Sequence, residues 1–379
     1  MLRNTGMNIG DFVLFFAGTL IPSFGIAWIV TLALRRYAPS LGLVDQPNSR
    51  KVHTTPTPLG GGLGIWAGVL VPFAAGSLAL PFLVASDWIP EFARPHLEGI
   101  VNQMPGLWIL LGGASVLMFL GLLDDIRGIR WQIRLGLQFT VASVCVLWQG
   151  WRLTAFIDIP VITWFLSVVW IVALINSFNM LDNMDGLSGG VATIASVMLS
   201  AVLLLNPSST NQDPQLFVTG LLLVLVGALC GFLWHNRPPA RIFMGDAGSY
   251  FVGFCIAIAT LLATYSGYKT STQYSVAAPL CVMAVPLYDM ITVIWIRLRE
   301  GRSPFHADKN HFSHRLVDLG LTKGQAVCTI YLTTATCGLG ALLLPRVGLV
   351  GATTVLLMIV CVLTIIAILE STARRKIKS

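Results

Sequence analysis

Apolar stretches without a charged residue recur along the whole chain, and most are long enough to cross a bilayer as a helix. A crossing helix needs about 20 residues. Eleven such runs lie at roughly 12–34, 59–86, 99–123, 135–151, 159–181, 186–212, 214–236, 247–268, 270–288, 324–345 and 347–369. The run at 135–151 is short. The run at 270–288 contains Pro279 and Pro286, which predict a kink, and its helix is expected to continue towards Arg299.

The fold class that follows is all-α: a polytopic membrane bundle of about eleven helices, forming one integral-membrane domain over residues 1–379. Composition agrees, because 55% of the residues are hydrophobic and 11% are charged, whereas soluble domains have about 25% charged residues. The first run has 23 uncharged residues between Asp11 and Arg35. It exceeds the apolar part of a signal peptide, about 7–15 residues, and is therefore expected to be a retained span.

Basic residues are distributed unevenly between the two sets of loops that eleven spans would create. All but five of the 24 lysines and arginines fall on one side, which holds the segments 35–58, 124–134, 182–185, 237–246, 289–323 and 370–379. Because cytoplasmic loops carry the positive excess, we expect this side to be cytoplasmic, with the N-terminus out and the C-terminus in. Topology thus accounts for the net charge of +7, and nucleic-acid binding is not needed to explain it.

Carboxylates cluster on the same side. Asp124 and Asp125 are adjacent at the end of the third run, and Asn176, Asn179, Asp182 and Asp185 recur every three residues at the end of the fifth. Such polar groups are costly in lipid, so they must face a cavity, a cation or a ligand. An ordinary charge pair with Arg127 or Arg130 is the alternative for Asp124 and Asp125.

Three further loops on this side carry candidate ligands. Arg50, Lys51 and His53 precede Gly60-Gly61-Gly62, whose amides are able to approach an anion; a basic flank followed by a hinge is the alternative. Asp246 lies between Gly245 and Gly248, either as a metal ligand or as a plain helix cap.

The last large loop contains His311, His314 and Arg315. Zinc binding is weakly supported, since no third matching ligand accompanies the two histidines, so phosphate binding fits better than zinc; a solvated polar loop is the remaining alternative. Asp289 lies inside the end of the ninth run, where an ionisable residue indicates function.

Taken together, these motifs resemble the polyprenyl-phosphate N-acetylhexosamine-1-phosphate transferases over roughly residues 40–345. The shared stretches are Asp124-Asp125, Asn179 to Gly186, Met244 to Ser249 and the His311/His314-Arg315 loop. In the peptidoglycan branch the loop histidines are usually adjacent. Here Phe312-Ser313 separates them, which favours the N-acetylglucosamine (GlcNAc) branch over lipid I synthesis. Asn183 stands where the family often has glycine.

The resemblance implies that a UDP-N-acetylhexosamine and undecaprenyl phosphate are the substrates, that UMP is released, and that Mg²⁺, or alternatively Mn²⁺, is the cofactor. It also implies an inner-membrane, multi-pass location with membrane lipid around the chain; the oligomeric state stays open, a homodimer included. The candidate catalytic residues are Asp124, Asp125, Asp182, Asp185 and His311, and the candidate metal ligands are Asp246, Asp125 and Asp182. The candidate substrate-binding residues are Arg50, Lys51, His53, Asn176, Asn179, Arg241, His314 and Arg315.

Both substrates would be polyanions, so their repulsion is the first obstacle to reaction. A divalent cation together with Arg and His side chains neutralises that repulsion. A lipid phosphate is already ionised at neutral pH, so no strong general base is required. Two other classes stay open: a secondary transporter, although no internal repeat is visible and the acids gather at one interface, and a membrane scaffold, which leaves the Asp and His clusters unexplained.

Overall fold

The computed structural model describes residues 8–46, 56–86, 89, 93–153, 159–205, 215–267, 276–306 and 308–378. Across these ranges the chain is almost entirely helical. The helices are α1 Ile9–Tyr37, α2 Gly61–Ala85, α3 Leu97–Arg127, α4 Trp131–Gln149, α5 Pro160–Leu181, α6 Leu187–Leu205, α7 Leu216–Asn236, α8 Gly245–Gly267, α9 Ala278–Val282, α10 Ala284–Arg299, α11 Phe312–Asp318, α12 Lys323–Leu343 and α13 Leu349–Lys378. Two short antiparallel strands, β1 Val44–Asp45 and β2 Thr57–Pro58, pair between α1 and α2.

Nine helices in the described ranges are long and apolar enough to span a membrane: α1, α2, α3, α5, α6, α7, α8, α12 and α13. The chain is therefore an all-α polytopic membrane protein. The two predicted spans outside this set are the 135–151 run, which forms the 19-residue α4, and the 270–288 run. The latter breaks at Met283 between α9 and α10, which confirms the expected kink, and α10 continues to Arg299 as predicted.

Helix α8 lies at the centre of the bundle. Of its apolar stretch 89% is buried, against 11% for α1 and 17% for α13. It packs against α2, α3 and α5, and its buried aromatic side chains include Tyr250, Phe251 and Phe254. The outer helices instead expose large apolar side chains, such as Val350 at 79%, which lipid would cover.

Glycines allow α2 and α3 to approach the first turn of α8. A Cβ on Gly62 would lie 2.2 Å from the Gly248 nitrogen, and one on Gly121 would lie 2.4 Å from the Asp246 carbonyl oxygen. Both neighbours are backbone atoms, so neither gives way easily. The amides of Gly61 and Gly62 donate to the carbonyls of Phe243 and Met244 at 2.9 and 3.0 Å. These two amides therefore serve packing, and not the anion binding proposed for them.

Candidate active site

A cavity of about 460 Å³ opens where the ends of the helices meet on one side of the bundle. Each of the five internal loops that the charge distribution assigned to one side contributes to its lining, together with residues at the neighbouring helix ends. Its lining includes Asp45, Leu59, Asp125, Asn179, Asp182, Asn183, Met184, Asp185, Asn236, Pro238, Phe243, Gly245, Asp246, Asp308, Lys309, His311, His314, Lys323, Gly324 and Val327. The sorting of loops by charge thus correctly grouped segments that are far apart in the sequence.

Asp125 holds the first turn of α8 in place. Its carboxylate accepts the Asp246 amide at 2.9 Å and the Ala247 amide at 3.2 Å. These amides belong to the helix N-terminus, which has no carbonyl partners of its own and favours negative charge. Asp125 therefore supplies the cap that was considered for Asp246. Gly245, at φ +72°, leaves room for this carboxylate, since a Cβ there would lie 2.5 Å from Asp125 Oδ2.

Asp246 consequently points its side chain into the cavity instead of capping its own helix. Asn179 from α5 donates to Asp246 Oδ1 at 2.6 Å and to Ser249 Oγ at 3.1 Å. Asp182 follows at the end of α5. Burial, with repulsion from the Asp125 carboxylate second, raises the pKa of Asp182 to about 7. A raised carboxyl pKa means that the ionised form is disfavoured there, and a neighbouring cation would reverse that preference.

Asp124 lies behind this group and is not among the residues that line the cavity. It accepts the Ile129 amide at 2.6 Å, the Tyr250 hydroxyl at 3.2 Å and the Arg134 guanidinium at 2.5 Å. The same Arg134 nitrogen lies 3.6 Å from Asp246 Oδ2. The partner of Asp124 is thus Arg134 from the first turns of α4, and neither Arg127 nor Arg130. Asp124 is placed to support the cavity through Arg134 and Tyr250.

Asp185 and Asn183 connect the end of α5 to two other loops. Asp185 Oδ2 accepts the Ala240 amide at 2.9 Å, which orders the segment leading to Asp246. Asn183, the residue that departs from the resembling family, accepts a hydrogen bond from the Ser313 hydroxyl. Ser313 is one of the two residues that separate His311 from His314, so Asn183 contacts the segment that distinguishes this loop from that of the peptidoglycan branch.

Two histidines, His314 of α11 and its N-cap His311, also line the cavity. His311 is 8% exposed, and its ring centroid lies 6.4 Å from that of His314. Burial, followed by the charge of His311, lowers the pKa of His314 to about 4, so this ring is neutral at physiological pH. Asp308 lies nearby. Although burial alone would raise the pKa of Asp308, hydrogen bonds from Arg297 and Asn310 bring it to about 2.

The carboxylates fit the way in which proteins hold Mg²⁺. Among the residues that the structure describes, no three His, Cys, Asp or Glu side chains converge as a complete metal-binding group. Mg²⁺ does not require one, because it is commonly held by one or two carboxylates, waters and substrate phosphates. Asp125, Asp182 and Asp246 line one cavity, and the Arg134 guanidinium lies 3.6 Å from Asp246. Hard oxygen donors with an incomplete protein shell are typical of such a site.

Arg315 was predicted to contact substrate, but the structure places it outside the cavity lining. Its guanidinium is 3% exposed and donates to Glu370 at 2.9 Å, to the Asn310 carbonyl at 2.5 Å and to Thr292 at 2.9 Å. Tyr288 also donates to Glu370, at 2.9 Å. Arg315 thereby ties the loop before α11 to α10 and to the end of α13.

Replacing Arg315 with alanine is expected to lower the thermal stability of the detergent-solubilised protein. Removing one partner of a buried ion pair typically costs about 3–5 kcal/mol, because the other charge, here Glu370, stays buried without compensation. The check is the melting temperature beside that of Arg299→Ala, which removes an exposed arginine from the end of α10. Equal shifts for the two variants would contradict the bracing role.

Four other groups of predicted residues have different outcomes. Asn176 donates to Gln138 of α4 at 2.7 Å and to the Val172 carbonyl at 2.8 Å, so it connects two helices and does not line the cavity. The side chain of Arg241 is exposed and also outside the lining. Asn179, Asp182, Asp185, Asp246 and His314 do line it. Arg50, Lys51 and His53 lie outside the described residues.

Several cavity residues were not selected from the sequence. Asp45, Asp308, Lys309 and Lys323 line the cavity, and Arg134 reaches its edge. Lys309 and Asp308 precede His311 closely, so their position in the histidine loop was a usable signal. Arg134 offered no such signal, because it is brought to Asp246 only by the packing of α3, α4 and α8.

Comparisons with known proteins identify the family of this chain. Residues 107–264 match the sequence model of glycosyl transferase family 4. A Bacillus subtilis (strain 168) protein, a probable undecaprenyl-phosphate N-acetylglucosaminyl 1-phosphate transferase, is 31% identical over 360 residues, covering 92% of this chain and 90% of the relative. The chain belongs to the polyprenyl-phosphate N-acetylglucosamine-1-phosphate transferase family.

Other members of this transferase family show the same likeness. The undecaprenyl-phosphate alpha-N-acetylglucosaminyl 1-phosphate transferase of Escherichia coli (strain K12) is 31% identical, with 83% of this chain and 80% of that protein covered. The decaprenyl-phosphate N-acetylglucosaminephosphotransferase of Mycobacterium tuberculosis (strain H37Rv) is 32% identical, with 83% and 79% covered. The segment matched to glycosyl transferase family 4 contains the Asp124 to Asp246 carboxylates but ends before the histidine loop.

Proposed function

We propose that this transferase moves N-acetylglucosamine-1-phosphate from the UDP-sugar to undecaprenyl phosphate, releasing UMP and initiating a cell-envelope glycan. The observation that carries the proposal is that one cavity is lined by two chemically different groups of side chains. Asp125, Asp182 and Asp246 interact with one another as a carboxylate group. The second group consists of His311, His314 and two lysines. Carboxylates suit a divalent cation, and cationic or hydrogen-bonding side chains suit phosphate.

Asp246, Asp125 and Asp182 are the residues that would hold Mg²⁺, or Mn²⁺ in its place. When bound, such an ion neutralises phosphate charge and stabilises the charge that develops on the leaving group. Asp125 contributes twice, because it also fixes the α8 turn from which Asp246 projects. Asn179 orients the Asp246 carboxylate through its 2.6 Å hydrogen bond.

The remaining chemistry is positioning. A lipid phosphate oxygen attacks the β-phosphorus of the UDP-sugar, the bond between the two phosphates of the donor breaks, and UMP leaves with the electron pair. The attacking oxygen is already ionised, so no carboxylate of the chain has to remove a proton. His311, Lys309 and Lys323 reduce the repulsion between the two polyanions, and the cavity walls hold attacker and leaving group in line.

The membrane arrangement belongs to the same proposal. The chain is a single integral-membrane domain of eleven spans in the bacterial inner membrane, with α4 and the α9–α10 segment joining the nine long apolar helices. The N-terminus faces out, and the cavity and the C-terminus face the cytoplasm. The convergence of five basic-side loops on one cavity supports this orientation. A soluble nucleotide then meets a membrane-held lipid at the interface.

The test is release of UMP from UDP-GlcNAc by the purified protein in detergent with polyprenyl phosphate. We expect release to require both the lipid phosphate and a divalent cation, to stop with EDTA and to return with excess Mg²⁺ or Mn²⁺. A panel of other UDP-N-acetylhexosamines, and of UDP-N-acetylmuramoyl-pentapeptide for the lipid I branch, identifies the donor. UMP release that EDTA does not reduce would contradict the cation site. Uptake of solute without nucleotide would instead support a transporter.

A further inference from the structure

Asp289 is a buried carboxylate that the proposed reaction does not use. It lies in α10, is 0% exposed, and is not one of the residues that line the cavity. A buried carboxylate needs compensating hydrogen bonds or charges. Both of its oxygens are engaged at the start of α11: Oδ1 accepts the Phe312 amide at 2.5 Å, and Oδ2 lies 3.0 Å from His311 Nδ1.

The contact between Asp289 and His311 determines which nitrogen of the His311 ring meets the cavity. A carboxylate that pairs with Nδ1 places the ring proton on that nitrogen, because an ionised carboxylate only accepts hydrogen bonds. His311 also lines the cavity. Nε2 is therefore the ring nitrogen left to meet a ligand there.

We propose that Asp289 is a positioning residue, which acts on the reaction through His311 by fixing the proton on Nδ1 and directing Nε2 at a phosphate group in the cavity. Nε2 donates to a phosphate oxygen when the ring carries a proton there as well, and the Asp289 carboxylate then faces the positive ring. His314 of α11 is held neutral, so His311 does not face a second imidazolium. Lys309 in the preceding loop adds a positive charge near His314, and Glu370 of α13 adds a negative charge near Asp289. This inference rests on the proposed function for its effect on rate, but not for the position of the proton.

Asp289→Asn separates the orienting role from simple capping of α11. The amide has one oxygen, which the backbone N–H of Phe312 occupies. Its NH₂ group then faces His311 Nδ1, which has to give up its proton and become an acceptor, so the neutral ring carries its proton on Nε2. The substitution thus keeps the cap and reverses the tautomer.

The decisive readout is the ¹⁵N spectrum of the protein labelled only at histidine, with the His311 signals identified by their loss in His311→Gln. We expect protonated Nδ1 in the wild type and protonated Nε2 in the neutral ring of Asp289→Asn. A wild-type His311 protonated on Nε2 alone would overturn the proposal. This measurement needs neither substrate nor activity, so it separates failure of this inference from failure of the proposed function.

Activity supplies the second readout. Removing a partner that orients a histidine commonly costs about 10–100-fold, so we expect kcat of Asp289→Asn to fall at least about tenfold. In the His311→Gln background the same change is expected to cost less than about twofold, because Asp289 acts through that ring. Thr260→Val is the control and is expected to keep wild-type kcat, because it removes only the 2.9 Å hydrogen bond from Trp170 well along α8. Additive losses in the double variant would contradict the positioning role.

Discussion

Replacing Asp246 with asparagine is expected to lower kcat for UMP release by about 10²–10³-fold, a loss typical of removing one electrostatic contact from a reacting centre. Asparagine has the same shape and keeps an oxygen for the 2.6 Å hydrogen bond from Asn179. What it removes is the negative charge on the cavity side of the first turn of α8. The rate falls because the divalent cation loses a carboxylate ligand. Arg134, 3.6 Å away, also loses a negatively charged neighbour.

The measurement is steady-state kinetics at saturating UDP-GlcNAc and lipid phosphate, with melting temperature recorded in parallel. Asp318→Asn is the matched control, because Asp318 is exposed at the end of α11 and does not line the cavity. It is expected to keep kcat within about twofold of wild type. Full activity in Asp246→Asn would show that the assigned carboxylates do not form the reacting centre.

Replacing Gly121 with alanine is expected to lower folding stability and activity together. A Cβ at this position would lie 2.4 Å from both the carbonyl carbon and the carbonyl oxygen of Asp246 and 2.5 Å from the Ala247 nitrogen. All three are backbone atoms of the turn that Asp125 caps, so α3 and α8 have to move apart. Overpacking of this kind typically costs about 1–3 kcal/mol, and sometimes more. Because Asp246 is displaced, the Gly121→Ala variant should also lose most of its transferase activity.

Gly112→Ala provides the comparison on the same helix. A Cβ at Gly112 meets nothing within 4 Å, and alanine favours a helix over glycine by about 1 kcal/mol. Its melting temperature in detergent should therefore equal or exceed that of wild type, whereas that of Gly121→Ala should fall by several degrees. If the two variants have the same melting temperature, α3 and α8 are not in the close contact described.

The sequence was sufficient to predict what depends on periodic local patterns. Charge-free runs of about 20 residues predicted the long helices, and the loop charges predicted which segments meet at one cavity. The spacing of Asn179, Asp182 and Asp185 predicted a polar end to α5. Each of these signals arises from the cost of placing charges in lipid, so each is visible in a single chain.

The sequence did not reveal which partner each side chain takes, because partners come from helices distant in the chain. Arg134 pairs with Asp124 across ten residues, whereas the sequence suggested only the nearer Arg127 and Arg130 as alternative partners. Arg315 is occupied by Glu370, 55 residues later, and so braces the fold instead of lining the cavity. Asp125 caps α8 from 121 residues away. Such contacts depend on helix packing, which composition and spacing do not encode locally.

Transfer of a sugar phosphate, as opposed to a sugar alone, is tested most directly with UDP-GlcNAc carrying ³²P in its β-phosphate. With purified protein, undecaprenyl phosphate and Mg²⁺, the account predicts that the label moves into the lipid fraction as a diphospholipid-sugar, while the nucleotide product is unlabelled UMP. Label retained in the nucleotide as UDP, with the sugar alone on the lipid, would contradict attack at the β-phosphorus.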